Sequence, residues 1–239
     1  MAVQTVFKRH EIKYIITEEQ YERLKALFTP YMRGDEYGNS TIKNIYFDTP
    51  SHLLIRNSID KPVYKEKLRL RGYGDISSTS PVFLEVKKKY KGVVYKRRVR
   101  LTESNAMDYV AGNARLPSSQ ISREIDYFIS YYRELSPKMV ISYEREAYYS
   151  QTDATFRMTF DRNILYRQND LSLEADAYGK LILPKGLVLM EVKTAYAIPL
   201  WLASFLSENK IYKTSFSKYG TAYLDTLSQS EKGEAINVR

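Results

Sequence analysis

Lysine and arginine recur at alternate positions in several segments of the chain, a spacing that suits phosphate binding. The densest runs are Lys65, Lys67, Arg69 and Arg71, then Lys87 and Lys89, then Lys96, Arg98 and Arg100. Residues two apart share one face of a β-strand, so each run predicts a cationic strand face. Arginine meets phosphate as a two-pronged donor and lysine as a point charge. Together the runs predict a surface that binds a chain of phosphates.

The competing interpretation is an ordinary solvated sheet face, and for any single strand it is the more typical one. Solvated faces usually mix the two signs of charge, however. The cationic faces of this chain hold about thirteen lysines and arginines against about four acids. Like charges at this density repel one another unless an anion lies among them. The set as a whole therefore favours anion binding.

Three glutamates lie among these cations, each two residues before a lysine. They are Glu11 before Lys13, Glu85 before Lys87, and Glu191 before Lys193. One interpretation is that the glutamates neutralise neighbouring lysines. The other is that they hold Mg²⁺ or Mn²⁺ against the phosphates, since these cations bind carboxylate and phosphate oxygens. A metal ion there would draw charge from a phosphoryl group in transfer.

The composition favours an anionic partner without choosing its class. The 239 residues carry 37 lysines and arginines against 28 acids, a net charge of +9. Such an excess suits nucleic acid, phosphorylated metabolites or an acidic membrane surface. Cysteine is absent, which excludes disulfides, cysteine-bound zinc and thiol catalysis, and fits a cytoplasmic protein. No segment approaches the ~18 apolar residues of a membrane span, so a membrane role would need a membrane-protein partner.

Strands and amphipathic helices must position these side chains. Period-two segments predict strands at 9–16, 41–48, 63–73, 82–90, 93–101, 139–149, 155–161 and 187–194, with a tight turn at Lys91-Gly92. Helical signals predict helices from the Thr17–Gln20 capping box to 28, at 103–111, at 121–132, from Pro199, and at 217–227. We expect one domain over residues 1–239 with a frayed tail from 228 to 239. The strands predict a closed antiparallel β-barrel of about eight strands, with a polar interior and the helices packed outside.

An ordered set of motifs resembles a known family. The motifs are Lys13-Tyr14, Tyr46-Phe47-Asp48-Thr49, Arg69-x-Arg71, Phe83-Leu84-Glu85-Val86-Lys87, Tyr143-x-Arg145, Arg157 with Phe160-Asp161, Leu189-Met190-Glu191-Val192-Lys193, and Ser217-Lys218-Tyr219. In this order, over roughly residues 8–225, they resemble the VTC domain. That is the polyphosphate polymerase domain of the triphosphate tunnel metalloenzyme superfamily.

The resemblance implies a tunnel-shaped barrel that transfers the terminal phosphoryl group of ATP to polyphosphate, with Mn²⁺ or Mg²⁺. By position it implies phosphate-binding roles for Lys13, Arg69, Arg71, Lys87, Lys96, Arg145 and Arg157, assisted by Tyr143 and Ser217, with Lys218 near a tunnel mouth. Strand alternation adds Arg98 and Lys193 to this group. The expected catalytic residues are Lys218, Glu191 and Arg145. The expected metal ligand is Glu191, with Glu85 and Glu11 as further candidates.

Two positions depart from the family pattern. Ser215 stands where active polymerases carry a lysine, three residues before Lys218, and Lys213 is a candidate substitute. Arg9 stands where triphosphate-hydrolysing relatives usually carry the first of two glutamates. The first departure argues against processive chain synthesis more than against phosphate binding. The second argues against a simple triphosphatase.

Four functions remain open on the sequence alone. The first is an ATP-dependent polyphosphate polymerase, and the second is a phosphohydrolase of the same fold acting on triphosphate or nucleotides. The third is a non-catalytic polyphosphate or nucleotide sensor. The fourth is a nucleic-acid-binding barrel, which the embedded glutamates disfavour because they would repel a nucleic-acid backbone. A nucleic-acid binder also needs aromatic rings for base stacking on its cationic face, and most aromatic residues fall elsewhere.

Overall fold

The architecture is a large antiparallel sheet with helices packed on it. The computed structural model describes residues 10–91 and 93–236, with the backbone alone for 230–236. Its strands are β1 His10–Thr17, β2 Met32–Gly34, β3 Ser40–Asp48, β4 Tyr64–Tyr73, β5 Pro81–Tyr90, β6 Val93–Thr102, β7 Ser136–Ser150, β8 Arg157–Arg167, β9 Lys180–Leu181, β10 Leu187–Thr194 and β11 Lys213–Thr214. Its helices are α1 Glu18–Phe28, α2 Leu53–Ile59, α3 Glu103–Val110, α4 Gln120–Tyr132, α5 Leu200–Glu208 and α6 Lys218–Ile236. Residue 9 of the first predicted strand, Gly92 of the predicted turn and residues 237–239 of the predicted tail lie outside this description.

The sheet is open, so the prediction of a closed barrel is wrong. The strand order is β11-β1-β10-β8-β7-β3-β4-β5-β6, with β2 on β7 and β9 on β8, and the end strands β11 and β6 do not pair. Neither end suits pairing. β11 has only two residues. β6 exposes Lys96, Arg98 and Arg100, and charged residues of this kind discourage an edge strand from pairing with another strand.

The open sheet is nevertheless strongly curved. Lys87 on β5 and Glu11 on β1 are separated by six strand pairings along the sheet. Even so, the Lys87 Nζ lies 2.9 Å from the Glu11 Oε2. The two ends of the sheet therefore face each other across a concave side, and the cationic strand faces line that side.

The convex side is covered by four helices. Helices α1 and α5 bury Tyr21, Leu24 and Phe205 against β1, β8 and β10. Helices α3 and α4 bury Ala106 and Phe128 against β4, β5 and β6. The predicted capping box of α1 is confirmed, because the Thr17 hydroxyl accepts from the Gln20 N–H and the Gln20 side chain accepts from the Thr17 N–H. This apolar packing fixes which strand faces turn inward.

Helix α6 lies on the concave side, where the sequence analysis placed no helix. Its Tyr219, Ala222 and Tyr223 pack against concave-face residues of β3, β7 and β8, among them Tyr46 and Ile141. The Tyr219 and Tyr46 rings stack with centroids 4.6 Å apart. The helix also continues past its predicted end at 227 to Ile236. It fills one half of the concavity and leaves the other half open. In the part of the chain described, no helix is both long enough and apolar enough to span a membrane.

Asp48 anchors α2 and α6 beneath the open half. One of its carboxylate oxygens accepts from the backbone N–H groups of Thr49 and Leu54, and the other accepts from the Ile55 N–H. The second oxygen also accepts from the Tyr219 hydroxyl at 3.2 Å. Asp48 is fully buried. It therefore caps α2 from β3 and ties α6 to the same point.

We expect Asp48→Ala to lower the free energy of unfolding by about 3 kcal/mol, because three buried backbone donors and one hydroxyl lose their acceptor. Urea unfolding followed by circular dichroism measures the loss. Asp60→Ala is the control, since Asp60 is an exposed carboxylate at the other end of α2. Equal effects of the two substitutions would contradict the anchoring role.

Candidate phosphate-binding site

The open half of the concave side is a cavity of about 1740 Å³. Six strands and the start of α6 supply most of its cations. They are Lys13 from β1; Lys65, Lys67, Arg69 and Arg71 from β4; Lys87 and Lys89 from β5; Lys96 and Arg98 from β6; Arg145 from β7; Lys193 from β10; and Lys218 from α6. Segments far apart in the sequence thus converge on one space. Arg97 alternates with Lys96 and Arg98 along β6 and pairs with Glu124 of α4, yet it also belongs to the cavity lining.

Asp161 is a fully buried acid that contacts two cations of the cavity lining. The Arg145 guanidinium donates two hydrogen bonds to its carboxylate, at 2.5 and 2.7 Å, and the Lys218 ammonium donates a third. Burial alone would raise the pKa of Asp161, but Arg145 and Lys218 hold it at about 2. The acid stays charged and fixes both cations. Asp161 has no predicted role beyond its place in a sequence motif, although its spacing from Arg157 already puts it on the cationic face.

Tyr143 lies between the cations that Asp161 organises and those of β4. Its hydroxyl accepts from the Arg71 guanidinium at 3.1 Å, and Arg71 in turn donates to the Asn44 amide oxygen. Burial would raise the pKa of Tyr143, but Arg71, Arg145 and Lys218 lower it to about 7. The family resemblance implies an assisting role for Tyr143, and the structure brings it together with Arg71 and Arg145.

Glu85 lies in a cross-strand row between Arg69 and Arg98. Its carboxylate contacts the Arg69 guanidinium at 2.8 Å and the Lys96 ammonium at 2.5 Å. Only 1% of the Glu85 side chain is exposed. Burial opposes its charge, yet Arg69, Arg71 and Lys96 lower its pKa to about 2. Glu85 therefore holds Arg69 and Lys96 in place.

Glu191 and Glu11 lie on the paired strands β10 and β1, on the opposite wall. The Glu191 carboxylate is 2.8 Å from Lys193 and 3.8 Å from Lys13, and the Glu11 carboxylate is 2.9 Å from Lys87. Burial would raise the pKa of Glu191, but Lys193 and Lys13 hold it well below its usual value. Lys13 has its own pKa lowered to about 8, chiefly by burial.

Lys67 is a cavity residue that the sequence analysis placed on the cationic face but left out of the site. Its ammonium lies 3.3 Å from the Ser217 hydroxyl. Burial, then the charges of Lys65, Lys13, Lys87 and Arg69, lower its pKa to about 7. All four neighbours carry positive charge. A partly buried lysine whose strongest charged neighbours are all cationic is a natural contact for an anion.

The start of α6 completes the site. The Ser217 hydroxyl accepts from the Gly220 N–H at 3.2 Å, and the Phe216 carbonyl accepts from the Lys13 ammonium at 2.8 Å. The first turn of a helix presents N–H groups and a positive dipole end, which favour anions. Residues 214–221 line the cavity. The first turn of α6 and the side-chain cations therefore both favour an anion in the cavity.

Two residues considered in the sequence analysis lie elsewhere. Arg157 shares the concave face by register with Lys193, but it lies over the Tyr149 ring and 3.9 Å from Asp35, outside the cavity lining. Lys213, the candidate substitute for the lysine missing at Ser215, also lies outside the lining, whereas Ser215 is part of it. Arg9 precedes the described residues.

The carboxylates differ in how well they fit a divalent metal ion. Within the residues described, no three potential ligands of the Asp, Glu, His or Cys type cluster together. Magnesium is often held by only one or two carboxylates together with substrate phosphates. Glu11 and Glu191 line the cavity on neighbouring strands and fit that arrangement. Glu85 does not, because it lies outside the cavity lining and only 1% of its side chain is exposed.

Fold and site together define a protein whose curved antiparallel sheet presents a cationic, acid-braced cavity. The chain belongs to the VTC domain family, whose match covers residues 8–226. The resemblance drawn from the motifs is thereby confirmed. No curated protein matches the chain by sequence.

Two solved structures share the fold at low sequence identity. A candidate adenylate cyclase from Vibrio parahaemolyticus is 12% identical, with a TM-score of 0.50, over 92% of this chain and 99% of that chain. A candidate adenylyl cyclase from Hippeastrum, described as having a dominant triphosphatase activity, is 16% identical, with a TM-score of 0.52, over 88% of this chain and 93% of that chain. At such identities the likeness shows the fold alone.

The lowered pKa of Tyr143 gives a spectroscopic test of the empty site. We expect an ultraviolet titration to show one tyrosine losing its proton near pH 7, a step that Tyr143→Phe removes. Tripolyphosphate should move this step to higher pH, because phosphate charge offsets the arginines and lysines around the hydroxyl. Tyr64→Phe is the control, since burial and Glu66 raise the pKa of Tyr64. A step near pH 7 that persists in Tyr143→Phe would disprove the assignment.

Proposed function

We propose that this protein binds ATP and polyphosphate in the concave cavity and transfers the terminal phosphoryl group of ATP to the polyphosphate end. The observation that carries the proposal is the convergence of cations from six strands and one helix on a single cavity. Membership of the VTC family supports the same substrate class.

In the proposed reaction a terminal oxygen of polyphosphate attacks the γ-phosphorus of ATP. The bond between that phosphorus and the β–γ bridging oxygen breaks, ADP leaves, and the polyphosphate grows by one unit. Arg145 and Lys218 lie where they would stabilise the charge that spreads over the transferred oxygens, since Asp161 fixes both in advance. Tyr143, beside Arg71 and Arg145, would orient the same group. Preorganised cations of this kind lower the barrier because they need little rearrangement during the reaction.

Enzymes of the triphosphate tunnel type generally use a divalent metal ion. Here Glu191 and Glu11 would hold it, and when bound it would supply charge withdrawal from the phosphoryl oxygens. Lys193 and Lys13 already compensate Glu191. Both lysines are thus placed to contact phosphate oxygens beside that carboxylate.

Incubation of the purified protein with ATP and Mn²⁺, followed by gel separation of the products, tests the proposed function. We expect polyphosphate chains together with ADP. Release of free phosphate without chains would instead show a hydrolase that uses water as the acceptor. Binding of tripolyphosphate without turnover would show a sensor. Either of these results would overturn the polymerase assignment.

Glu191→Gln separates a metal-holding role from simple neutralisation of lysines. If Glu191 holds a metal ion, the substitution should remove metal-dependent turnover and leave tripolyphosphate affinity within about threefold, because the cations remain. If Glu191 only neutralises Lys193 and Lys13, the substitution should tighten tripolyphosphate binding and leave turnover measurable. Turnover across Mn²⁺ concentrations and calorimetry measure the two quantities. Glu18→Gln is the control, because Glu18 lies on α1 away from the cavity and forms a partly exposed ion pair with Arg162 of β8.

A further inference from the structure

Lys65 and Lys89 form a cationic pair beside the group of side chains that the proposed function uses. They face each other across β4 and β5, one row beyond the pair Lys67 and Lys87. Both line the cavity. Residues two apart on a strand are separated by about 7 Å, so this pair extends the cationic surface by that distance. Lys61 and Lys91 continue it at the rim.

The acids that pair with the cavity cations lie on the other side of this row, whereas Glu66, the lining acid beside it, pairs with Lys88. Lys87 pairs with Glu11, Lys96 with Glu85, Lys193 with Glu191 and Lys218 with Asp161. Among the described residues, Lys65, Lys67 and Lys89 form no ion pair. The Lys65 ammonium donates to the Ser58 carbonyl at 3.0 Å, a neutral partner. Like charges directly opposite each other destabilise a sheet, so this part of the cavity carries repulsion that an anion would relieve.

We propose that Lys65 and Lys89, continued from Lys67, form an extension subsite for phosphates beyond the third, so that the cavity prefers long inorganic polyphosphate to triphosphate. The proposal rests on the proposed function, because it assumes that the inner cavity holds the first three phosphates. Affinity then depends on the length of the phosphate chain, and Lys65 and Lys89 are the residues that cause this dependence.

The chemistry of this region favours a bare phosphate chain over the base of a nucleotide. A nucleobase is usually held by stacking on an aromatic ring. Around Lys65 and Lys89 the lining consists of lysines with Ser58, Pro62, Val63, Glu66 and Val94, none of them aromatic. The aromatic residues of the lining come from other segments: Tyr46 from β3, Tyr143 from β7, Tyr196 from the loop before α5, and Phe216 and Tyr219 from the start of α6. A chain whose every unit is charged matches a surface that offers charge alone.

The test compares tripolyphosphate with size-selected long-chain polyphosphate, using calorimetry on the wild type and on the double variant Lys65→Ala/Lys89→Ala. We expect the wild type to bind the long chain more tightly. The double variant should lose about tenfold or more of its long-chain affinity, the effect of losing one or two charge-assisted bonds. Its affinity for tripolyphosphate should stay within about threefold. The melting temperature of the empty variant should not fall, since like-charge repulsion is relieved.

The control is Lys25→Ala/Lys88→Ala, which removes the same charge from convex-side lysines paired with Glu146 and Glu66. It should change the two affinities equally and slightly. If Lys65→Ala/Lys89→Ala fails to fold, Lys65→Gln/Lys89→Gln keeps the side-chain bulk and carries the same expectation.

Three results would overturn the extension subsite. One is equal wild-type affinity for the two ligands, and another is an equal loss of both affinities in the lysine variant. In either case tripolyphosphate still binds and the proposed function stands. The third is a wild type that binds neither ligand, which removes the proposed function together with the subsite.

Discussion

The rest of the site depends on how its buried acids are compensated. Taking a charged group out of water costs several kcal/mol, which is offset only where opposite charges and hydrogen bonds meet it closely. Each acid here meets two cations: Asp161 meets Arg145 and Lys218, Glu85 meets Arg69 and Lys96, and Glu191 meets Lys193 and Lys13. These acids hold the cations at fixed positions without cancelling all of them. The surplus of positive charge is what a phosphate ligand meets.

Local signals predicted most of the long strands and helices, because their causes are local. Period-two alternation follows from strand geometry, and the Thr17 capping box is complete within four residues. Helix α2 escaped prediction because its cap comes from Asp48, which reaches its N–H groups from the end of β3. Strands β2, β9 and β11, of two or three residues each, exist only because longer neighbours hold them.

Alternation placed the cations on one face but could not say how that face bends. A closed barrel and a curved open sheet share the same pattern of inward and outward residues, and the difference lies in whether the end strands meet. The pattern of α6 is likewise the same whether the helix packs outside the sheet or inside it. Arg157 likewise shows that alternation predicts the face of a residue but not the position of its side chain on that face. Its face was correctly inferred, but Tyr149 and Asp35 hold its guanidinium outside the cavity.

The surroundings of Ser217 bear on the missing lysine at Ser215. Comparison by position looks for a substitute nearby in the sequence and suggests Lys213, which lies outside the cavity lining. In the folded chain the ammonium beside Ser217 belongs to Lys67, which reaches it from β4, 150 residues away in sequence. A cation needed at one point of a concave surface can come from any strand that faces it, because attraction depends on where the charge lies and not on the segment that carries it. The departure from the family pattern at Ser215 therefore does not leave this part of the cavity without a cation.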